Sequence, residues 1–205
     1  CHLYDKGGMA VDEIVTQARE AGVTAMITIG CDAASTAEAI EMATRFEGVF
    51  ATAGLHPHEA RCGVDTIVPL LADPHVVAIG EAGLDYHYPG DYPAQATGFR
   101  RHIAAARETG LPLVIHAREA DDGIASILEE ETGQGGAFPF ILHCFSSGLD
   151  LARRGLALGG YVSFSGILTF KASEELRQIA ATVPPDRLLV ETDAPYLAPA
   201  PYRGK

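Results

Sequence analysis

Histidine and carboxylate residues recur in this sequence directly after short apolar runs. The residues in this position are His2, His56, Glu81, His116, His143 and Asp193. Taken singly, each is more often a hydrogen-bonded structural residue than a metal ligand. Gathered and desolvated together, they would need a divalent cation to neutralise the acids and order the imidazoles. Nitrogen mixed with carboxylate oxygen suits zinc or manganese and tolerates magnesium, and one glutamate can bridge two ions.

The elements that must position these side chains follow a regular alternation. From residue 9 onward, short β-branched apolar runs alternate with longer amphipathic stretches, which is typical of βα units around a parallel sheet. The predicted strands are Thr24–Ile29, Val49–Ala53, Val76–Ile79, Leu113–Ile115, Phe140–Leu142, Tyr161–Phe164 and Leu188–Val190. The predicted helices are Val11–Ala21, Ser35–Phe46, Thr66–Leu71, Ala94–Thr109, Gly123–Glu130, Leu149–Leu158 and Ser173–Thr182.

An eighth strand is predicted to end in Cys1-His2-Leu3. Eight parallel strands with alternating helices predict an α/β fold, a TIM-type (β/α)8 barrel, in a single domain over residues 1–205. Polar residues at the carboxyl ends of barrel strands converge at one mouth. Such barrels usually need about 250 residues, and no eighth helix follows Leu188–Val190. We therefore expect a barrel incomplete at both ends, with its first strand truncated and its last helix missing.

Composition and charge limit the partners of the protein. A formal net charge of −12 argues against extended duplex binding, which needs a basic surface. A substrate with few phosphates needs only local positive charge, which metal ions supply. No apolar run approaches the roughly 20 residues that cross a bilayer, and the first residues are too polar for a signal peptide. We expect a cytoplasmic protein without a membrane partner, and the sequence leaves the oligomeric state open.

Six motifs together resemble those of a known family. They are G-L-H-P-H, G-E-A-G-L-D-Y, P-L-V-I-H-A-R-E-A, L-H-C-F, S-F-S-G and L-L-V-E-T-D-A-P-Y-L-A-P followed by R-G-K. In order and spacing they resemble TatD-family deoxyribonucleases, which are similar to amidohydrolase-type metal barrels, over nearly the whole chain. The resemblance implies a metal-dependent hydrolase, a deoxyribonuclease or exonuclease, that cleaves phosphodiester bonds with a water activated by two divalent ions (Mg, Mn or Zn). Its substrate would be a DNA end or a small phosphodiester.

The resemblance also implies a role for each residue of the metal centre. Glu81 would bridge two metals, His116 and His143 would hold the second, and His2 with Asp193 would hold the first. Asp193 and Glu81 would be the catalytic residues, with Asp193 orienting the water and taking its proton. The family opens with an H-x-H pair, of which this sequence contains only the second histidine. We interpret this difference as a cut sequence rather than an evolutionary loss.

Three further side chains are predicted to bind the substrate, namely His56, Arg118 and Arg203. In the family His56 lies near the substrate phosphate, and the alternative is a histidine that orders its own loop. Arg118 either grips a phosphate with two parallel hydrogen bonds or pairs with Glu119 or a neighbouring loop. Arg203 and Lys205 either meet the substrate or are solvated terminal charges.

Other polar residues in the motifs have competing interpretations. Asp85 and Tyr86 either contact substrate or, for Asp85, anchor the local turn. Strand alternation turns Cys144 away from the side of His143, which predicts a packing role for this cysteine rather than a nucleophile.

Two rival functions remain open from the sequence. The same metal pair could cleave a carboxylic ester or amide, such as an aminoacyl ester, because polarising a carbonyl uses the same groups. Alternatively, the missing histidine would permit a catalytically inert scaffold. Substrate profiling separates the first rival, and metal analysis separates the second.

Overall fold

Seven parallel strands form the central sheet of the computed structural model, which describes residues 1–3 and 9–203. The strands are β1 (Met26–Thr28), β2 (Val49–Ala53), β3 (Val76–Asp85), β4 (Leu113–Arg118), β5 (Phe140–Leu142), β6 (Tyr161–Phe164) and β7 (Leu188–Val190). Each strand pairs in parallel with the next one along the chain, so the sheet order equals the sequence order. This curled parallel sheet confirms the predicted α/β fold of barrel type.

Six α-helices connect the strands within the described residues. They are α1 (Val11–Glu20), α2 (Ala33–Arg45), α3 (Tyr92–Thr109), α4 (Asp121–Gly135), α5 (Leu149–Ala157) and α6 (Glu174–Ala180). None of the helices in this part of the chain is long and apolar enough to cross a membrane. The ends follow the local sequence: the Asp32 side chain caps α2 by accepting a hydrogen bond from the Ser35 N–H at 2.7 Å, and Gly110 ends α3 in the left-handed conformation.

The predicted helix over Thr66–Leu71 is wrong. Between β2 and β3 the chain forms three short 3-10 segments, Pro57–Cys62, Val64–Thr66 and Val68–Ala72. Pro69 lacks an N–H donor, and Gly63 has a φ of 79°, so a continuous α-helix is interrupted there. A fourth 3-10 segment covers Gly166–Thr169.

Strand β3 runs six residues beyond its predicted end at Ile79. Its extension contains Gly80 and Gly83, which have φ angles of 126° and 152°. A side chain at Gly80 would lie 2.6 Å from the carbonyl oxygen of Val114, and one at Gly83 would overlap the carbonyl oxygen of His116. The glycines therefore allow β3 to lie against β4 along its whole length, which carries Glu81 to the mouth of the sheet.

The first residues of the chain are joined to both edges of the sheet. The Ile29 N–H donates to the carbonyl oxygen of Cys1 at 2.9 Å, and the His2 N–H donates to the carbonyl oxygen of Ala194 at 2.7 Å. Leu3, which is 4% exposed, packs into the apolar cluster between α1, α2 and the first strands. Among the described residues this segment is not a strand of the sheet, so the predicted eighth strand is replaced by an irregular bridge. His2 thereby reaches the mouth.

The two largest of three apolar clusters among the described residues hold the strands and helices together. The larger one lies under α3, α4 and α5 and includes the fully buried Phe99, Ile115 and Leu128. The smaller one contains Val15 and Ala39. Burial of such side chains supplies the main driving force for the fold and fixes the strand ends that carry the polar residues described below.

Candidate metal centre

The five residues predicted as metal ligands meet at the carboxyl ends of the strands. The Nδ1 atom of His116 lies 2.7 Å from Oε1 of Glu81, and Nε2 of His143 lies 3.9 Å from the same oxygen. Oδ1 of Asp193 lies 3.7 Å from Nε2 of His143 and 3.5 Å from Nε2 of His2. All five line one cavity of about 660 Å³. The structure thus brings together side chains that are up to 191 residues apart in number, from position 2 to position 193.

His56, which was predicted to bind the substrate, is in direct contact with this cluster. Its ring packs edge-on against His116 with centroids 4.6 Å apart. Donor atoms of His56, Glu81 and His116 lie within 4.8 Å of one another, which makes these three residues a candidate site for one ion. Burial lowers the pKa of His56 to about 4, so the ring is neutral at physiological pH. Its Nδ1 accepts a hydrogen bond from the N–H of His58 at 3.3 Å.

Each inner histidine is held from behind by a carboxylate. Nε2 of His116 lies 3.2 Å from Oδ2 of Asp85, which is 1% exposed, while its Nδ1 faces Glu81. Nδ1 of His143 lies 2.6 Å from Oε2 of Glu191, while its Nε2 faces Glu81 and Asp193. One nitrogen held by a carboxylate and the other directed at a shared centre is the usual arrangement of metal-binding histidines.

Sequence reasoning gave no role to Glu191, although a signal was present. Glu191 is the first residue after β7, so it stands where a strand gives way to its loop, as the predicted site residues do. This position could have indicated a second functional acid.

Asp193 provides a direct test of whether a cation fits. Its Oδ1 is buried and has no hydrogen-bond partner within the described residues. The imidazole nitrogens of His2 and His143 face this oxygen at 3.5 and 3.7 Å, which is too long for a hydrogen bond. A buried anionic oxygen without a partner is costly. A divalent cation bound among these donors would satisfy it, so the residues fit a metal ion.

The charges in the cavity also favour a cation. Burial alone would raise the pKa of Glu81, but the hydrogen bond with His116 and the charge of His143 outweigh it and hold this pKa far below its usual range. Burial alone would lower the pKa of His116, but hydrogen bonds with Asp85 and Glu81 raise it to about 9. The carboxylates are therefore ionised and stabilise positive charge on their neighbours.

Cys144 faces the site, contrary to the prediction from strand alternation. β5 ends at Leu142, and Cys144 adopts a φ of 44°, so the alternation of the strand no longer applies to it. Its Sγ lies 3.1 Å from Oγ of Ser165 and 3.8 Å from Oδ2 of Asp193. Burial, reinforced by the nearby acids, raises the pKa of the thiol to about 12. Cys144 therefore stays protonated, which is unsuited to a nucleophile.

The predicted substrate-binding arginines differ in position. Arg118 lines the cavity, and its guanidinium lies 5.1 Å from the centroid of the Tyr88 ring. Glu119 instead contacts Nδ1 of His87 at 2.6 Å, so the alternative Arg118–Glu119 pair does not form. Arg203 stacks over Phe170 at 4.1 Å and is not among the described residues that line the cavity.

The predictions for Asp85 and Tyr86 have different outcomes. Asp85 both contacts His116 and anchors its own turn, because its Oδ1 accepts hydrogen bonds from the N–H groups of His87 and Tyr88 at 3.0 and 3.4 Å. Tyr86 lines a neighbouring cavity rather than the one that holds the cluster. Lys205 lies outside the described residues.

Comparisons with known proteins place this chain in a family. The sequence model described as "TatD related DNase" matches residues 1–205. The uncharacterized metal-dependent hydrolase YabD of Bacillus subtilis is 37% identical over 95% of this chain and 78% of its own length. A protein of Klebsiella pneumoniae named 3'-5' ssDNA/RNA exonuclease TatD is 35% identical over 92% of this chain and 73% of its own.

Solved structures agree with the fold. The crystal structure of YjjV, a TatD homologue from Escherichia coli, is similar with a TM-score of 0.86 and 27% identity, covering 100% of this chain and 82% of that one. An organophosphorus hydrolase from Deinococcus radiodurans shares the barrel fold alone, with a TM-score of 0.57 and 16% identity over 89% of this chain and 65% of that one. Because the family match spans the whole chain, the protein belongs to the TatD-related DNase family of metal-dependent hydrolases.

Proposed function

We propose that the protein hydrolyses phosphodiester bonds at the end of a DNA strand or in a small phosphodiester. The observation that carries this proposal is the cluster of Glu81, His116, His143, Asp193 and His2, in which a buried carboxylate oxygen faces two imidazoles without a hydrogen-bond partner. The name of the Klebsiella relative, an exonuclease on single-stranded DNA and RNA, supports the choice of substrate class.

Two divalent ions are proposed for this cluster. His116 and His143 would hold one, His2 and Asp193 would hold the other, and Glu81 lies close enough to both histidines of the first pair to be shared. Magnesium, manganese and zinc all accept this mixture of nitrogen and oxygen donors. When bound, such ions supply Lewis acidity, which activates water and offsets negative charge on phosphate oxygens.

The side chains of the protein perform the remaining steps. Asp193 lines the cavity, where its carboxylate would orient the attacking water and accept its proton. Since Nδ1 of His56 accepts the His58 N–H, the neutral ring carries its hydrogen on Nε2 and can donate it to a phosphate oxygen. Arg118, which also lines the cavity, can donate to the same phosphate.

Charge and cavity size support an end-on substrate. The sequence carries a net charge of −12, so a long duplex would be repelled outside the site. The cavity of about 660 Å³ has room for a group the size of one nucleotide. We therefore propose contacts limited to a few nucleotides at one strand end, without extended duplex binding.

The test combines metal analysis with turnover. The protein is expected to retain divalent ions after gel filtration and to shorten end-labelled single-stranded DNA, and Asp193→Asn is expected to lose turnover by several orders of magnitude while it stays folded. Glu174→Gln is the matched control, since Glu174 is a surface carboxylate that pairs with Arg177 at 2.8 Å and does not line the cavity. Full turnover by Asp193→Asn would refute the proposed role.

The same assay separates the rival functions. Hydrolysis of an aminoacyl ester without any cleavage of DNA would favour the carboxylic-ester rival. A folded protein that binds no divalent ion and cleaves none of these substrates would favour an inert scaffold.

A further inference from the structure

A series of aromatic and imidazole rings leads outward from the metal cluster. The ring of His56 contacts that of His116, and the rings of His56 and His58 lie 4.6 Å apart. His58 in turn contacts Tyr88, with centroids 5.5 Å apart. Tyr88 also contacts the ring of His87, with centroids 4.6 Å apart, so it belongs to a continuous series of ring contacts that begins at a candidate metal ligand.

Tyr88 stands where two cavities adjoin. The residue is 48% exposed and lines a cleft of about 740 Å³ together with Arg61 and His58. His58 also lines the cavity that contains the cluster, so it forms the common wall of the two. Tyr88 therefore offers an exposed aromatic surface beside a cleft that is also lined by charged residues.

The exposed ring is held by a fixed backbone. The Tyr88 N–H donates to Oδ1 of Asp85 at 3.4 Å, and the carbonyl oxygen of Tyr88 accepts a hydrogen bond from the hydroxyl of Tyr92 at 3.4 Å. Asp85 is itself tied to His116 and to His58, at 3.2 and 3.3 Å. The position of Tyr88 is thus coupled to that of the cluster. Because the backbone at Tyr88 is already held in place, the protein would lose little conformational entropy when a ligand stacks on the ring.

A positively charged side chain, that of Arg118, lies beside the Tyr88 ring. The Arg118 guanidinium lies 5.1 Å from the Tyr88 centroid, and Arg118 forms no ion pair within residues 1–3 and 9–203. Arg61, at the other side of the cleft, is paired with Asp91 at 3.0 Å. An exposed aromatic ring beside an available arginine is the combination by which proteins bind single-stranded nucleic acid, the ring stacking on a base and the arginine contacting its phosphate.

We propose that Tyr88 is the stacking platform for a nucleobase next to the scissile phosphate, with Arg118 bridging the base site and the phosphate site. This inference rests on the proposed nuclease function, to which it adds a base site beside the phosphate site. A base inside a duplex has both faces stacked on its neighbours, so the base that stacks on Tyr88 is an unpaired base or a base at a strand end. Stacking accepts every base, so the site would be tolerant of sequence.

Fluorescence gives a direct test of stacking. The sequence contains no tryptophan, so Tyr88→Trp introduces a single indole at the proposed platform. In an Asp193→Asn background with Mg²⁺, where the strand stays intact, a short oligothymidylate is expected to quench this emission. The same strand with an abasic terminal residue is expected to quench it much less, because it lacks the stacking base.

A second tyrosine–arginine pair provides the matched control. Tyr161 lies under Arg187, whose guanidinium is 4.9 Å from the ring centroid, in the same kind of contact as Tyr88 with Arg118. Tyr161 begins β6 and therefore lies at the opposite end of the sheet from the cluster. Tyr161→Trp in the same background is expected to show no base-dependent quenching.

Kinetics test whether the platform contributes to turnover. Tyr88→Leu is expected to lower kcat/KM on the normal strand about tenfold, the effect of losing one stacked base, and to lower kcat/KM on the abasic strand by a clearly smaller factor. The unmodified protein could cleave DNA while Tyr88→Trp shows no base-dependent quenching and Tyr88→Leu shows no base-dependent loss of kcat/KM. That result would overturn the stacking site and leave the proposed function standing. If the unmodified protein cleaves neither strand, the proposed function fails and the stacking site fails with it.

Discussion

Glu191 holds His143 in one orientation. Its Oε2 accepts a hydrogen bond from Nδ1 of His143 at 2.6 Å, and its Oε1 accepts one from the N–H of Cys144 at 2.7 Å. The carboxylate thus contacts both the ring and the backbone beside it, and the free Nε2 is directed at Glu81 and Asp193. Because a ligand that is fixed before binding loses less entropy, Glu191 should strengthen metal binding without contacting the metal.

The first prediction concerns this positioning role. Glu191→Gln keeps the size of the side chain but removes its charge, and we expect about 10- to 100-fold weaker binding of divalent ions, the usual effect of losing such a partner. Competition with a fluorescent chelator measures the affinity. Glu174→Gln, which alters a surface carboxylate paired with Arg177, is expected to bind as the unmodified protein does. Equal affinities of the two variants would contradict the role of Glu191.

The second prediction concerns metal removal. Oxygens of Glu81 and Asp193 lie 3.9 and 3.7 Å from Nε2 of His143, so the folded protein brings these acids together. Ions that bind only the folded state stabilise it by mass action. Treatment with a chelator should therefore lower the Tm, and titration with Mn²⁺ should restore it in proportion to the logarithm of the ion concentration. Differential scanning fluorimetry measures both. A Tm that does not respond to Mn²⁺ after chelation would show that the cluster binds no ion tightly in the folded protein.

The bounds of some strands and the convergence of two site residues could be predicted from the sequence pattern alone. Strands such as Val49–Ala53 and Phe140–Leu142 have the predicted bounds, because short runs rich in apolar β-branched and aromatic residues are typical of strands. The convergence of Glu81 and His116 was also predictable, since parallel strands deliver their carboxyl ends to one edge.

Other features depend on contacts that no local pattern encodes. Gly80 and Gly83 look like the end of a strand, whereas the close approach of β4 makes them part of β3. The direction of Cys144 is set by a positive φ after β5, where the period of two ends. The ring series from His56 to Tyr88 joins two loops, so it appears only when both are placed in space.

The third prediction tests this close approach. A methyl group at Gly83 would overlap the carbonyl oxygen of His116, and its φ of 152° is unfavourable for any other residue. Gly83→Ala is therefore expected to lower the free energy of unfolding by about 3 kcal/mol or more, and to displace His116 from Glu81. Urea denaturation at neutral pH measures the change.

A glycine in a helix serves as the control for that substitution. Gly133 lies in α4, and nothing approaches the position of its missing side chain within 4 Å. Gly133→Ala is expected to raise the free energy of unfolding by about 0.5–1 kcal/mol, because alanine loses less backbone entropy on folding. Tolerance of alanine at both positions would show that β3 and β4 can separate without cost.

The fourth prediction concerns pH and rests on His102. This histidine of α3 is 1% exposed; its Nδ1 donates to the carbonyl oxygen of Gly98 at 2.7 Å, and its Nε2 accepts the N–H of Leu55 at 3.1 Å. Burial lowers the pKa of His102 from 6.5 to about 4. The ring must be neutral to accept from Leu55, so it anchors the start of the loop that carries His56 only in that state.

The sign of the effect follows from the lowered pKa. Between pH 6.5 and about 4 the unfolded chain binds a proton at His102 that the folded protein does not, so the contribution to stability is complete above pH 6.5 and is lost as the pH falls towards 4. The full loss is about 3 kcal/mol. In His102→Gln the unfolding free energy should therefore fall less steeply as the pH is lowered from 6.5 to about 4. Some of the fall should remain, because the pKa of His56 is also lowered to about 4. Urea denaturation at several pH values measures these slopes, and equal slopes for His102→Gln and the unmodified protein would mean that the buried ring takes up its proton without unfolding.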